Sequence, residues 1–211
     1  MKAYKMNRWF AAVIWAMVAV SLGAQSTAES LRPISITVFN NATLLPGAGV
    51  LGVWGVPAHP GFSVGTEFRY NHDQKNEWFQ TVRVGYFYHR YVQHGIQLYS
   101  EAGYRYHFGV PIDLESRLGA GYLHSIPAAQ VFELSENGTY TRQSSIGRPQ
   151  AMVSISLGGG YTFQNMGNLR LFLAYQVYLQ MPFVKEYVPI LPNSALHLGV
   201  SVPFFKQSQV P

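Results

Sequence analysis

Cysteine is absent from the 211 residues, and only 12% of them are charged. The first absence excludes a disulfide scaffold, a thiolate metal site, a Cys nucleophile and a lipid-modified N-terminal Cys together. The second, combined with 48% apolar residues and 20 glycines, argues against a disordered chain and against a coiled coil. Beyond residue 30 there is no sustained 3.6-residue apolar period and no apolar run long enough for a membrane-spanning helix. The histidines show no H-x-x-x-H or His-carboxylate spacing, so the residues imply no metal and no cofactor.

Charge is scarce but uneven. The formal net charge is +5, which would ordinarily raise nucleic acid as a partner. Residues 1–8 carry Lys2, Lys5 and Arg8 without an acid, and Trp9–Val20 is an unbroken apolar run. Small residues follow, Ser21-Leu22-Gly23 and Ser26-Thr27-Ala28, either of which suits a small-x-small cleavage rule. A positive head, a short apolar stretch and a small-residue exit describe a secretory signal peptide over 1–28. The run is too short for a spanning anchor, which needs about 20 residues. Without 1–28 the chain holds 12 Lys and Arg against 10 Asp and Glu, a net +2, so no nucleic-acid partner is expected.

What the rest has in abundance is alternation. Seven segments, beginning near 62, 79, 96, 111, 150, 169 and 195, place apolar side chains at every second position. In the first, Phe62, Val64, Thr66, Phe68 and Tyr70 alternate with Ser63, Gly65, Glu67, Arg69 and Asn71. Strands in globular proteins usually run about 5 to 6 residues, whereas a tilted bilayer-spanning strand needs about 9 to 11. These segments are long enough to span, and their second face of Gly, Ser and isolated charges suits a crowded lumen.

An even strand number requires an eighth strand upstream. Gly47–Val56 is the first candidate, with Ile34–Asn40 as an alternative or an extension of it. The expected layout is a signal at 1–28, a periplasmic segment at 29–46 that joins the first strand in the second version, an all-β eight-stranded antiparallel transmembrane up-and-down barrel at 47–205, and a tail at 206–211. With both termini periplasmic, connections 57–61, 91–95, 125–148 and 181–194 face outward, and 72–77, 108–110 and 164–168 face the periplasm. Aromatic girdles fit this placement: Tyr70, Trp78, Tyr104, Tyr106, Phe163 and Phe204 at the periplasmic ends, with Phe62, Tyr86, Tyr88, Tyr122 and Tyr178 toward the outer ends. Tyr178 falls in the inward register and is the weak member.

In alternation, girdles and loop asymmetry the chain resembles the small eight-stranded bacterial outer-membrane barrels, the class that includes OmpA-, OmpX-, PagP- and PagL-type proteins. Val202-Pro203-Phe204-Phe205 is similar to their aromatic C-terminal strand, although Lys206 to Pro211 follow it. The resemblance implies the outer membrane, with its lipid and lipopolysaccharide, as the surroundings.

Positions in the inward register carry Glu67, Arg69, Arg83, Glu101, Arg105, Asp113, Glu115, Arg117 and Arg170. An eight-stranded interior is just wide enough for side chains to fill, so a paired network plugging the lumen is expected, with a narrow polar path as the alternative. His59, His89, His94, His124 and His197 fall at or near the outer end, and His72 and His107 at the other. PagL-like lipid A deacylases use Ser, His and Glu on the barrel surface, and that comparison selects His124, Ser125 and Glu133 as candidate catalytic residues. In the deacylase pattern His and Ser stand two apart; here they are adjacent, and in an extended strand they point to opposite faces unless a turn intervenes. Asn137-Gly138 predicts a hairpin protruding from loop 125–148, and Pro182, Pro189 and Pro192 stiffen loop 181–194. These two loops are the expected contact surfaces for a partner protein. Two functions stay open: a non-enzymatic envelope or subunit barrel, and a lipid A deacylase or acyltransferase.

Overall fold

The computed structural model describes residues 32–43, 58–71, 73–90, 92–128, 131–134, 140–143, 146–183 and 189–205. Eight long strands form the body: β1 (Arg32–Thr43), β2 (Pro60–Arg69), β3 (Asn76–His89), β4 (Gln93–His107), β5 (Ile112–Pro127), β8 (Arg148–Phe163), β9 (Leu169–Met181) and β10 (Leu191–Phe205). Two short strands, β6 (Val131–Leu134) and β7 (Tyr140–Gln143), pair antiparallel with each other between β5 and β8, while Asn137-Gly138 lies outside the described residues. Each long strand pairs antiparallel with its chain neighbours, and β1 pairs with β10, so the sheet closes into an eight-stranded barrel without a free edge.

Parity decides which side each residue sees. Outward Leu118 and Leu157 are 64% and 63% exposed, while inward Glu101 and Gln180 are 1% and 0% exposed. A soluble barrel would hide the leucines; this one hides the charges. Among the described residues no helix is long and apolar enough to cross a membrane, and the crossing elements are strands of 10 to 16 residues.

The first strand differs from the leading expectation. Gly47–Val56 lies outside the described residues, and the eighth strand is Arg32–Thr43, so the barrel starts at 32 rather than 47. The reason is visible in the residues: Ile34, Ile36 and Val38 alternate with Ser35, Thr37 and Phe39, and this strict period meets Thr66, Val64 and Phe62 on one side and Val202, Val200 and Leu198 on the other. The adjacent Val50 and Leu51 break such a period. The connections at one end consequently span 44–59, 90–92, 128–147 and 182–190, here called the loop end; at the turn end they span 70–75, 108–111 and 164–168.

Glycine on the inner face has a steric purpose. In the register, Phe39 faces Gly61, Phe87 faces Gly95, Phe79 faces Gly103, Tyr99 faces Gly121 and Phe172 faces Gly199. The four phenylalanine rings lie across the neighbouring glycines; a Cβ built on Gly95 would stand 2.2 Å from the Phe87 ring, and one on Gly61 2.4 Å from the Phe39 ring. The large inward aromatics fit a narrow lumen because the opposing residue has no side chain.

Candidate functional site

The lumen is filled in three zones, set by where polar and apolar inward residues fall along the strands. Nearest the turn end is an ionic zone centred on Arg105. Its guanidinium pairs with Glu67 at 2.7 Å, Glu77 at 2.8 Å and Glu115 at 2.9 Å, and lies 4.3 Å from the centre of the Phe79 ring. Arg170 binds Asp113 with two nitrogens and Glu115 at 3.0 Å. Deeper in, Glu101 accepts from Arg117 at 3.1 Å, Ser156 at 2.8 Å and Gln176 at 3.1 Å, while Arg83 donates to Thr37 at 3.0 Å. Arg69 closes the turn end at 3.0 Å from Glu77. All nine charged residues assigned to the lumen from the sequence thus enter this network. Glu77 joins them although the sequence reading did not include it, making five acids and five arginines.

The middle zone is apolar: Phe39, Phe87, Tyr99, Leu123, Met152, Tyr178 and Ala195 form one buried cluster. Above it, within a few residues of the loop ends of their strands, comes a zone of amides. Gln180 donates to Gln93 at 2.9 Å and to Gln150 at 2.6 Å, Asn193 donates to the Leu191 carbonyl at 3.1 Å, and Ser125 donates to Gln93. A cavity beside Glu67, Arg83, Arg105 and Arg117 measures about 10 Å³, room for roughly one water molecule. Ion pairs, an aromatic septum and an amide layer in series leave no wide passage.

Two residues near the loop end lie in the interior, as their register requires. Tyr178, placed with the outer girdle on its aromatic character, is buried and donates its hydroxyl to Asn41 at 2.7 Å. His197 is also inside, 3.2 Å from Gln176 and with its ring centre 4.7 Å from that of Phe39. Parity overrides side-chain type in both cases. Phe62, Trp78, Tyr88, Tyr106 and Phe163 are exposed on the outer wall; the Phe204 side chain and His72 lie outside the described residues.

Of the His/Ser/Glu candidate set, His124 and Ser125 are described on β5 and do not meet. The strand stays extended through Pro127, so His124 and Ser125 face opposite sides. His124 sits 2.8 Å from the Tyr122 hydroxyl through Nδ1 and 2.9 Å from the Ile146 carbonyl through Nε2, which engages both ring nitrogens. Ser125 points into the amide zone and has no histidine among its hydrogen-bond partners. The Glu133 side chain is outside the described atoms; its backbone pairs with Thr141 in the protruding hairpin. Among the described residues no three His, Asp or Glu are grouped to hold a metal ion.

The loop end also has a clasp built on His59. The His59 ring stacks on His89 at 3.6 Å, its Nδ1–H donates to the Asn41 carbonyl at 3.1 Å, and its backbone N–H reaches the Asn40 side chain at 2.7 Å. The Asn41 amide returns a bond to the His59 carbonyl at 2.9 Å. Burial holds the His59 imidazole below its ordinary value of 6.5, against the opposing pull of the Asn41 carbonyl. A lowered folded value means that the unfolded imidazole takes its proton first, so the clasp's stabilisation is complete above about 6.5 and declines as pH falls through the lower folded value. Hydrogen-exchange protection at the Asn41 amide is expected to drop on acidification below about 6.5 and to become pH-independent in His59→Phe.

No family model matches the chain, and no curated protein matches its sequence. Solved structures do match. Neisserial surface protein A is 14% identical with a TM-score of 0.48, covering 83% of this chain and 98% of its own. The attachment invasion locus protein of Yersinia pestis is 14% identical with a TM-score of 0.46, covering 82% and 98%. The outer membrane enzyme PagL is 10% identical with a TM-score of 0.45, covering 81% and 99%. The fold itself is read from the chain's own strand pairing, a closed antiparallel barrel of eight strands.

Proposed function

We propose that the chain is a non-enzymatic barrel of the bacterial outer membrane, with its loop end outward, serving the envelope as a structural element or as a subunit that docks through its outer loops. The observation that carries this reading is the occupied lumen: Arg105 alone joins β2, β3 and β5 through Glu67, Glu77 and Glu115. A barrel used as a channel would leave a path; this interior is spent on cross-linking its own wall. The divergence of His124 and Ser125 on β5 favours this reading over a deacylase, whose Ser and His must meet. Outward Leu98, Leu118, Leu157 and Leu198 are exposed on the wall and meet the acyl chains of lipid and lipopolysaccharide. The β6–β7 hairpin, in the connection that the sequence assigns to partner contact along with 181–194, offers backbone edges that pair with nothing else among the described residues.

The test is co-purification in mild detergent joined to conductance in planar bilayers. A reproducible protein partner, lost on deletion of 131–143, together with the absence of stable current, is the expected result. A steady ion-selective current would overturn the plug, and lipid A altered in mass on expression of the protein would replace the reading with an enzymatic one.

A further inference from the structure

The rim at the turn end is not uniform. On one side the β2–β3 connection is polar and self-capped: the Asp73 carboxylate accepts from the Lys75 amide at 2.9 Å and from the Asn76 side chain at 3.2 Å, and Asn71 accepts from the Trp78 amide at 2.7 Å. The Lys75 amide, and then Asn76, hold the Asp73 carboxyl below its ordinary value, so this turn stays charged. On the other side Phe108 and Val110 in the β4–β5 turn are 50% and 55% exposed, and Met166 in the β8–β9 turn is 67% exposed.

These apolar residues belong to one unit. The Thr162 amide of β8 donates to the Pro111 carbonyl of the β4–β5 turn at 2.8 Å. The β4–β5 turn continues the lipid-facing wall through Phe108, whereas in the β8–β9 turn Gln164 and Asn165 stand between Phe163 and Met166. Phe108 packs edge-on against Tyr106 at 5.1 Å, and Phe163 against Tyr161 at 4.7 Å. At about 3.3 Å per residue and a strand tilt of roughly 40°, the largely apolar outward row from Ile96 to Phe108 on β4 rises about 30 Å, against about 20 Å for Phe62 to Tyr70 on β2. The apolar band of an outer-membrane barrel is about 25 Å tall, so the two walls miss it in opposite directions.

We infer that the β4–β5 turn, with Met166 of the neighbouring β8–β9 turn, forms an apolar foot set into the bilayer leaflet at the turn end, tilting the barrel so that its longer wall is submerged. The occupant is the phospholipid of that leaflet, because the patch runs on from the lipid-facing wall and carries aromatic rings at its margin. Tilting is the ordinary response to a span longer than the membrane. The inference rests on the membrane-barrel reading proposed above and goes beyond it in assigning a lipid contact to turns that would otherwise stand in water.

A chain without cysteine accepts single spin labels cleanly. Val110→Cys, Met166→Cys, Gln74→Cys and Leu118→Cys would be labelled separately in vesicles of phosphatidylethanolamine and phosphatidylglycerol, and the accessibility of each label to oxygen and to a water-soluble nickel complex compared. Positions 110 and 166 are expected to resemble 118, oxygen-rich and shielded from nickel, with an oxygen-to-nickel ratio several-fold above that at 74. Nickel access at 110 and 166 equal to that at 74 overturns the foot, as does shielding of both from oxygen and nickel alike, which marks a protein contact. A water-exposed label at 118 would instead overturn the membrane-barrel reading itself, so the two failures are distinguishable.

Discussion

Replacing Arg105 with methionine is expected to cost about 3–5 kcal/mol, the usual range for removing one partner from a buried ion pair. The magnitude comes from what remains. Glu67, Glu77 and Glu115 all face the vacated position, each having lain 2.7 to 2.9 Å from the guanidinium. Methionine preserves contact with the Phe79 ring but answers none of the carboxylates. Glu115 keeps Arg117 and Arg170, and Glu77 keeps Arg69 and His107, whereas among the described residues Glu67 retains only Arg69, at 3.7 Å. Glu67→Gln in the Arg105→Met background should therefore recover part of the loss, and more of it than Glu115→Gln. Arg69→Met is the matched control: that side chain is 49% exposed at the rim, and its removal should stay within about 1 kcal/mol. Urea unfolding from lipid vesicles, followed by the gel-mobility shift between folded and heat-unfolded barrel, gives the comparison. Equal tolerance of Arg105→Met and Arg69→Met would mean that the network fills the lumen without holding it.

The outcome bears on what a sequence of this kind discloses. Period-two alternation is a local property of the chain, and in a barrel it maps directly onto inside and outside. For that reason seven strands and the charges of their inner face could be read from the residues alone, although the β2–β3 connection, expected at 72–77, spans 70–75. Glu77 was missed because the segment was read from residue 79, yet it is in phase with Phe79, Thr81 and Arg83 and follows from extending the parity one step past Trp78. For the first strand the sequence offers Gly47–Val56 first and Ile34–Asn40 second; closure with β10 and β2 selects the second, as Arg32–Thr43. Histidine clustering at one end is one-dimensional information, and it could not separate His94 and His124 on the outer wall from His197 inside, or reveal that His59 reaches across to stack on His89. Those distinctions depend on strand direction and register, which connect residues far apart in sequence.

The same register makes Gly95→Val the second large effect expected. Gly95 faces Phe87, whose ring is fully buried in the middle of the lumen, and a Cβ at 95 would come within 2.2 to 2.8 Å of three of its ring carbons. Overpacking usually costs about 1–3 kcal/mol, but relief here would require the ring to swing into Phe39, 6.5 Å away and itself held against Gly61. Loss should reach or exceed the top of that range. Phe87→Ala alone should cost about 3–5 kcal/mol by leaving a cavity. The informative protein is the double variant, in which valine at 95 grows into the space the ring has left. Its stability should exceed the sum of the two single effects by a coupling of about 1–3 kcal/mol. Simple additivity in the same urea titration would show that the ring and the glycine do not share one space, and would remove the steric account of why this lumen is lined with glycine.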